Sequence, residues 1–219
     1  MNDLSANIIF EDENLLVINK PAGLVVHDGS GETGPTLEHF LSQYFPDSKL
    51  ERHGIAHRLD KDTSGVILIA KTQENYDFLK QLFKDRNIKK HYVALVTGKL
   101  EPETGTINIP IARDMVSRTK FRAAQKGREA VTNYKVSSYF PGSTLVDIFP
   151  KTGRTHQIRV HFSSIKHPVV ADSLYGTKTT GINRQFLHAT QIEFEDMQGN
   201  HRNFVAELPP ELTNYLATL

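Results

Sequence analysis

Every uninterrupted apolar run in this chain is short, and this limits the fold more than any other feature. The longest runs, such as VILIA at residues 66–70, have the length of a strand. A membrane-spanning helix needs about 20 apolar residues, so none of these runs can form one. Glycine and proline separate many of the runs, and strand candidates outnumber helix candidates. The pattern predicts the α+β class, with a mixed, largely antiparallel sheet.

Two segments carry the apolar spacing of amphipathic helices. They are residues 36–45, with Thr36 as the cap, and residues 72–86, with Thr72 as the cap. Residues 152–168 fit a strand and also a helix capped by Thr155, and the pattern alone does not separate the two. We expect strands within residues 7–23, 65–72, 90–98, 106–112, 130–140 and 143–150, a hairpin over 186–208 that turns at Gly199 and Asn200, and a closing helix over 209–219.

Charge is unevenly distributed, although the formal net charge of the chain is only +1. Residues 1–50 carry 2 basic and 8 acidic side chains, whereas residues 51–130 carry 16 basic and 10 acidic ones. Residues 131–219 carry 8 basic and 7 acidic side chains. A basic block of this kind fits a polyanionic partner, and it fits a solvated surface equally well.

The composition and the first residues also bear on the cellular compartment of the protein. The chain has no cysteine, which excludes disulfides and zinc–thiolate sites. Its first residues lack the basic start and long apolar core of a signal peptide. We therefore expect a cytoplasmic protein.

The stretch HRLDKDTSG, residues 57–65, places several polar side chains directly before an apolar strand. Asp62, Thr63, Ser64 and Gly65 are turn-forming residues. Asp60 is harder to explain as a turn residue, because it lies between the cations Arg58 and Lys61 at the end of a strand, where catalytic groups often lie. Asp60 is therefore the first catalytic candidate.

A second polar cluster, GRTHQIRVHF at residues 153–162, contains two arginines and two histidines. On a helix, His156 and His161 would not face the same side, which argues against a metal site. The arginines fit anion contacts and charge pairing better. A buried Asp60 would need a cationic partner, and Arg159 or Arg154 could supply it.

Several separate motifs, in order, resemble the RluA family of pseudouridine synthases. They are DENLLVINKPAGLVVH, AHRLDKDTSGVILIAKT, KKHYVALVTG, KTGRTHQIRVHFSSIKHPVVADSLYG and FLHATQIEF, and the resemblance spans roughly residues 8–208. It implies one catalytic domain over residues 1–219, with two sublobes flanking a catalytic cleft. It also implies that residues 152–168 are mainly helical, starting near Thr155.

The resemblance implies an enzyme that converts uridine to pseudouridine in RNA without a cofactor or a metal. Asp60 would be the catalytic aspartate, Arg159 its cationic partner, and Tyr92 the residue that packs on the target base. Arg58 would fill the gap left by the flipped uridine, and Leu187 would help to close the pocket. The other expected RNA-binding residues are His57, Lys89, Lys90, Arg154, His156 and Gln157.

Many members of this family carry an N-terminal S4-type RNA-binding domain. The short stretch before residue 8 would not hold one, so we expect the catalytic domain itself to select the RNA. We also expect a monomer. Residues 111–136 resemble the large-subunit rRNA subgroup, but tRNA remains open as a substrate. Whether Asp60 attacks the ribose carbon or removes a ribose proton is also open.

Two alternatives follow from other readings of the same residues. One is an RNA-binding or RNA-folding module that has lost catalysis, for which Asp60 would be dispensable. The other is a nucleoside hydrolase that uses Asp60 and Asp62, although two carboxylates so close together in a turn are poorly placed to flank a glycosidic bond.

Overall fold

The computed structural model describes residues 4–27, 35–117, 119–176, 179 and 181–219. Its regular elements confirm the α+β class. The helices are α1 (Leu37–Tyr44), α2 (Gln73–Asp85), α3 (Gln157–Ser164) and α4 (Pro210–Leu216), with short 3-10 turns at Ser5–Asn7 and Glu51–Gly54. The strands are β1 (Ile8–Glu11), β2 (Leu15–Lys20), β3 (Ser64–Ala70), β4 (Lys89–Thr97), β5 (Thr104–Asn108), β6 (Ile111–Arg113), β7 (Phe121–Ala123), β8 (Val131–Phe140), β9 (Ser143–Pro150), β10 (Leu187–Glu195) and β11 (His201–Val205).

The chain forms two compact units and passes between them three times. Unit 1 contains residues 1–89 and 189–207, and unit 2 contains residues 90–188 and 208–219. In unit 1 the neighbouring strands follow the order β1-β2-β3-β10-β11, and in unit 2 the order β4-β9-β8-β5. Pairing is antiparallel between β1 and β2, β2 and β3, β10 and β11, and throughout the unit 2 order.

Unit 1 packs one helix against each face of its strands. Leu68 of β3 belongs to a core cluster with Leu79 of α2, whereas Ile67 belongs to a cluster with Leu41 of α1. Successive strand residues point to opposite faces, which is why β3 is buried along its whole length. Both predicted helix caps are confirmed, since the hydroxyls of Thr36 and Thr72 accept the N–H groups of His39 and Asn75.

In unit 2, α3 and α4 also lie on opposite faces of the strands. Ala94 of β4 shares a core cluster with Ile158 and Phe162 of α3. The next residue, Leu95, shares a cluster with Leu212 of α4. The β6–β7 pair forms a separate two-stranded hairpin.

Two glycines lie at the ends of the stretch from residue 54 to residue 65, and neither could carry a side chain. Gly65 has φ +120°, and a Cβ there would lie 2.1 Å from the Ala189 carbonyl oxygen. Gly54 has φ +86°, and its Cβ would lie 1.9 Å from the Ala70 oxygen. The backbone at Ala70 and Ala189 therefore lies close against the two ends of the Asp60 segment, and only glycine fits at those two positions.

The structure corrects three expectations about local structure. Residues 106–112 do not form one strand: β5 ends at Asn108 and β6 begins after Pro110, whose missing N–H interrupts a ladder. Strand β7 lies within a basic segment for which we predicted no strand. Helix α3 begins at Gln157 with His156 as its N-cap, so Thr155 is not the cap.

No helix in the described part of the chain is long and apolar enough to cross a membrane. The described residues also contain no cluster of three His, Asp or Glu side chains placed to hold a metal ion.

Candidate active site

The Asp60 segment belongs to unit 1 and runs directly into β3. Asp60 is half-buried, and its carbonyl accepts the N–H of Thr63 at 3.1 Å, which closes a turn. Leu59 on one side and Thr63 on the other are buried, at 4% and 2% exposure. The carboxylate is therefore carried on a segment that is anchored in the core on both sides.

A fully buried lysine supports this segment from the neighbouring strand. Lys20, at the end of β2, donates from Nζ to the carbonyl oxygens of Pro21 at 2.9 Å, Leu24 at 2.8 Å and Lys61 at 2.9 Å. The Lys61 oxygen also accepts the N–H of Gly23 at 2.9 Å. These bonds join the loop after β2 to the peptide that follows Asp60. Our sequence reasoning missed Lys20, although a lysine that closes the apolar run LLVIN was a usable signal.

Replacing Lys20 by methionine is expected to loosen the Asp60 segment. The change keeps about the length of the side chain but removes a donor that three carbonyls share. The Lys61 carbonyl keeps the Gly23 N–H, whereas those of Pro21 and Leu24 lose this bond, and each unsatisfied group costs about 1–3 kcal/mol. We expect the free energy of unfolding, measured with urea, to fall by about 2 kcal/mol or more, together with a slower turnover. The matched control is Lys80→Met, which removes a half-exposed lysine from the same unit. Equal stability of the two variants would contradict this prediction.

His57 and Arg58 lie just before Asp60 but differ in environment. The His57 Nε2 atom accepts the N–H of Leu68 at 2.8 Å, and its ring lies 4.5 Å from the ring of Phe83. These contacts place the imidazole among the packed elements of unit 1. Arg58 is exposed, and its Nη1 atom lies 3.5 Å from Nε2 of His27. Arg58 therefore has the accessibility that its predicted role requires.

A buried polar network holds the start of α3 in unit 2. The Gln157 side-chain oxygen accepts from the Thr152 hydroxyl at 2.6 Å and from the Arg154 N–H at 3.0 Å. Its amide nitrogen donates to the Val131 carbonyl and to the Thr132 hydroxyl, both at 3.0 Å. Gln157 therefore ties the start of α3 to β8 and to the loop that precedes the helix.

The network continues to His161, which is completely buried. Its Nε2 atom lies 2.9 Å from the Ile109 carbonyl oxygen, and its Nδ1 atom lies 2.8 Å from the Thr132 hydroxyl. A carbonyl can only accept, so the proton is on Nε2 and Nδ1 accepts from Thr132. Burial lowers the pKa of His161 below its ordinary value of 6.5, against a smaller opposing effect of the bond to Ile109.

The neutral form of His161 predicts a loss of stability in mild acid. Because the folded pKa is depressed, the unfolded state binds the proton first as the pH falls below about 6.5. The stability that His161 contributes is present above that pH and is lost as the pH falls toward the folded pKa. Urea unfolding between pH 7 and pH 5 is expected to show a smaller decline for His161→Gln than for the wild type. The control His201→Gln, at an exposed histidine, should decline like the wild type; equal slopes for all three proteins would refute the assignment.

Arg159 of α3 forms a bidentate ion pair with Asp172. Its Nε and Nη2 atoms donate to the Asp172 carboxylate at 2.7 Å and 2.8 Å, and the two side chains are only 5% and 0% exposed. Burial by itself would raise the pKa of Asp172, but the bonds and charge of Arg159, with the N–H groups of Leu174 and Tyr175, lower it overall. Asp172 is therefore ionised, and it orients the guanidinium. We did not single out Asp172 from the sequence, although an aspartate directly after the apolar VVA was a signal.

The remaining candidates for RNA contact belong to unit 2, except for Lys89. Arg154 donates from Nε to the Glu129 carbonyl at 2.9 Å, and Lys90 donates from Nζ to the Thr152 carbonyl at 3.3 Å. Lys89, the last residue of the first segment of unit 1, has a side chain that is 81% exposed, and its Nζ lies 3.7 Å from Glu193. His156 has the left-handed backbone angles φ 55° and ψ 20°.

Tyr92 and Leu187 belong to the same apolar cluster of unit 2. Leu187 is 3% exposed and lies in the cluster with Ile158, and the partly buried Tyr92 packs against that cluster. Nη1 of the buried Arg184 donates to the Leu187 carbonyl at 3.1 Å. The structure thus brings Tyr92, Leu187 and the helix of Arg159 into unit 2, and it places Asp60 and Arg58 in unit 1. The pairing of Asp60 with Arg159 stays a prediction.

Known proteins resemble this chain both in sequence and in fold. A sequence profile described as RNA pseudouridylate synthase matches residues 14–164. The ribosomal large subunit pseudouridine synthase D of Nitrosomonas europaea is 46% identical over 85% of this chain, and the chain spans 57% of that relative's length. The protein of the same name from Vibrio parahaemolyticus is 36% identical over 96% of this chain and 69% of its own length.

A solved structure supports the same grouping. Human RNA Pseudouridylate Synthase Domain Containing 4 superposes with a TM-score of 0.79 at 28% identity, covering 98% of this chain and 93% of its own. The chain therefore belongs to the RNA pseudouridylate synthase family.

Proposed function

We propose that this chain isomerises specific uridines to pseudouridine in structured RNA. The observation that carries the proposal is that the family match over residues 14–164 includes Asp60, Tyr92 and Arg159 together. The half-buried Asp60 lies on a pinned segment, and the buried Arg159 is oriented by Asp172. Both are the kind of rigidly held group that catalysis requires.

The reaction balances within the substrate itself. The bond between N1 of uracil and C1′ of ribose breaks, a bond between C5 and C1′ forms, C5 loses a proton and N1 gains one. No electron or group donor enters the balance, in line with our expectation that the enzyme uses no cofactor. The protein must supply an ionised carboxylate, retain the detached base and stabilise the extruded nucleotide.

Each role falls to a named residue of the chain. Asp60 acts on the ribose, and Arg159 is its proposed cationic partner. Tyr92 packs on the uracil, and Leu187 limits the escape of the base from the pocket. Arg58 takes the place of the flipped base, which offsets part of the few kcal/mol that extrusion costs. We propose that residues 1–219 act as one catalytic domain whose two lobes flank the cleft.

RNA binding is assigned mainly to cations, of which Lys89 is exposed and Lys90 and Arg154 are half-buried. Lys89, Lys90, Arg154 and the basic segment of residues 111–128 would contact phosphates, and His156 would contact RNA near them. We assign His57 and Gln157 to holding their neighbours, because the hydrogen bonds and packing described above already occupy them. Such phosphate contacts predict binding that weakens steeply as salt rises.

The proposed substrate is large-subunit ribosomal RNA. The Nitrosomonas and Vibrio relatives carry ribosomal large subunit in their names, and residues 111–136 resemble that subgroup. Transfer RNA is the second candidate class. We propose a monomeric enzyme of the cytoplasm.

The test is to incubate the purified chain with uridine-labelled transcripts of rRNA and tRNA and to map pseudouridine by chemical modification. Product on an rRNA helix or loop is the expected result. Tight RNA binding without product on any cellular RNA would favour the catalytically silent RNA-binding module. Release of free uracil from nucleosides would favour a hydrolase.

A further inference from the structure

Tyr175 lies where the catalytic arginine, the strained His156 and the basic hairpin of β6 and β7 meet within unit 2. We propose that Tyr175 is a positioning residue that orients Arg159 through its ring and holds His156 as the Nε2–H tautomer through its hydroxyl. This inference rests on the proposed function, because it concerns how the predicted RNA-contacting and catalytic groups are held.

The hydroxyl of Tyr175 connects two elements that are distant in sequence. It accepts the N–H of Phe121, in β7, at 2.8 Å, and it lies 2.8 Å from Nδ1 of His156. The Phe121 N–H can only donate, so the hydroxyl oxygen accepts it, and in the proposed arrangement the hydroxyl proton goes to Nδ1. A neutral imidazole that accepts at Nδ1 carries its proton on Nε2, so the hydroxyl selects the tautomer.

The backbone of His156 needs this support. A residue other than glycine in the left-handed region costs about 1–2 kcal/mol, and such strain persists only where the surroundings determine it. The His156 ring meets the Phe121 ring edge-on at 5.7 Å and the Tyr175 ring edge-on at 5.6 Å. Two aromatic contacts and one hydrogen bond thus hold the imidazole at the start of α3.

The aromatic ring and backbone of Tyr175 contact both members of the buried ion pair. The guanidinium carbon of Arg159 lies 5.2 Å from the ring centroid, within the range of a cation–π interaction. The Tyr175 N–H donates to Oδ1 of Asp172 at 3.1 Å, and the Tyr175 carbonyl accepts the Ser163 hydroxyl at 3.1 Å. The ring therefore covers the guanidinium while the backbone holds its carboxylate partner.

The same residue fastens the loop end of the hairpin, where Phe121 pairs with Arg113. Phe121 and Tyr175 both pack against the small core cluster that includes Val160 of α3. The Arg113 guanidinium lies 5.5 Å from the Phe121 ring. Arg113, which belongs to the basic segment assigned to RNA contact, is thus held close to the residue that orients His156.

The hydroxyl and the ring make separate predictions, which two variants can distinguish. Tyr175→Phe keeps the ring over Arg159 but removes both hydrogen bonds of the hydroxyl, so we expect KM for RNA to rise about tenfold while kcat stays within about threefold. Tyr175→Leu also removes the ring, so kcat should fall about a hundredfold. The control Tyr139→Phe removes a hydroxyl that donates to the Leu100 carbonyl and should change neither constant. A merely structural tyrosine would not separate KM from kcat in this way.

A spectroscopic measurement tests the tautomer without relying on activity. In ¹⁵N spectra of the imidazole groups, assigned with a His156→Gln variant, we expect His156 to be the Nε2–H tautomer and to lose that preference in Tyr175→Phe. A protonated Nδ1 in the wild type, or Tyr175→Phe kinetics equal to those of Tyr139→Phe, would overturn the positioning role. A wild-type chain that makes no pseudouridine would defeat the proposed function, and the tautomer spectra would then still decide whether Tyr175 holds His156.

Discussion

Replacing Asp60 by asparagine is expected to abolish pseudouridine formation. Asparagine keeps the shape of the side chain but can neither attack the ribose carbon nor remove a ribose proton. Both candidate mechanisms therefore predict the same loss, which we expect to be at least about a thousandfold in the single-turnover rate. The measurement is pseudouridine formed per enzyme on the rRNA transcript that the wild type modifies, with circular dichroism to verify folding.

The control for this substitution lies two residues further along the same turn. Asp62→Asn makes the same chemical change to a residue that we interpret as turn-forming, and it should keep activity within a few-fold of the wild type. A large loss in both variants would indicate that the turn, rather than the Asp60 carboxylate, is what the substitutions disturb. Full activity of Asp60→Asn would remove Asp60 from the mechanism and with it the proposed catalytic assignment.

Replacing Asp172 by alanine is expected to have the second-largest effect of the predicted substitutions. It should lower both the free energy of unfolding and the rate of pseudouridine formation. Removing one partner of a buried ion pair takes a bidentate counter-charge away from the other, a change that costs about 3–5 kcal/mol. Arg159 is 4% exposed, so water cannot readily replace the carboxylate. We expect urea unfolding to show a destabilisation of that size and product formation to become very slow.

A double variant separates the two effects. Arg159→Met combined with Asp172→Leu removes both charges and fills the space with apolar side chains, a change that often restores stability. We expect this variant to be more stable than Asp172→Ala and still inactive, because it lacks the cation that we propose as the partner of Asp60. If it formed pseudouridine at the wild-type rate, Arg159 would have no part in catalysis. If Asp172→Ala unfolded like the wild type, the pair would not be the buried one that the structure describes.

Most helices and strands were predictable because their signals are local. Thr36 and Thr72 cap helices through bonds to residues three positions away, and the apolar pattern of β3 lies within consecutive residues. The errors fell where a local pattern was ambiguous or broken. Pro110 divides what read as one strand, and the start of α3 depends on Gln157 bonds to Thr132 and Val131, which lie about 25 positions earlier.

The same difference between local signals and long-range contacts applies to the residues of the site. Motifs identified Asp60, Tyr92 and Arg159. They did not identify Lys20, Asp172 and Tyr175, because the roles of these three residues depend on which groups they contact in the folded chain. Lys20 reaches the Lys61 carbonyl across 41 positions, and Tyr175 reaches Phe121 across 54. No spacing rule connects residues so far apart.

The sequence by itself determined the fold class, helices α1 and α2 with their threonine caps, the family and the residues that carry the proposed chemistry. These follow from patterns within short segments and from motifs in a recognisable order. Only the tertiary structure decided that Asp172 orients Arg159, that Lys20 pins the Asp60 segment and that Tyr175 joins His156 to the hairpin. The physical reason is burial: a charge or hydroxyl that leaves water must find a partner, and the partner is whichever group the folded chain brings within hydrogen-bonding distance.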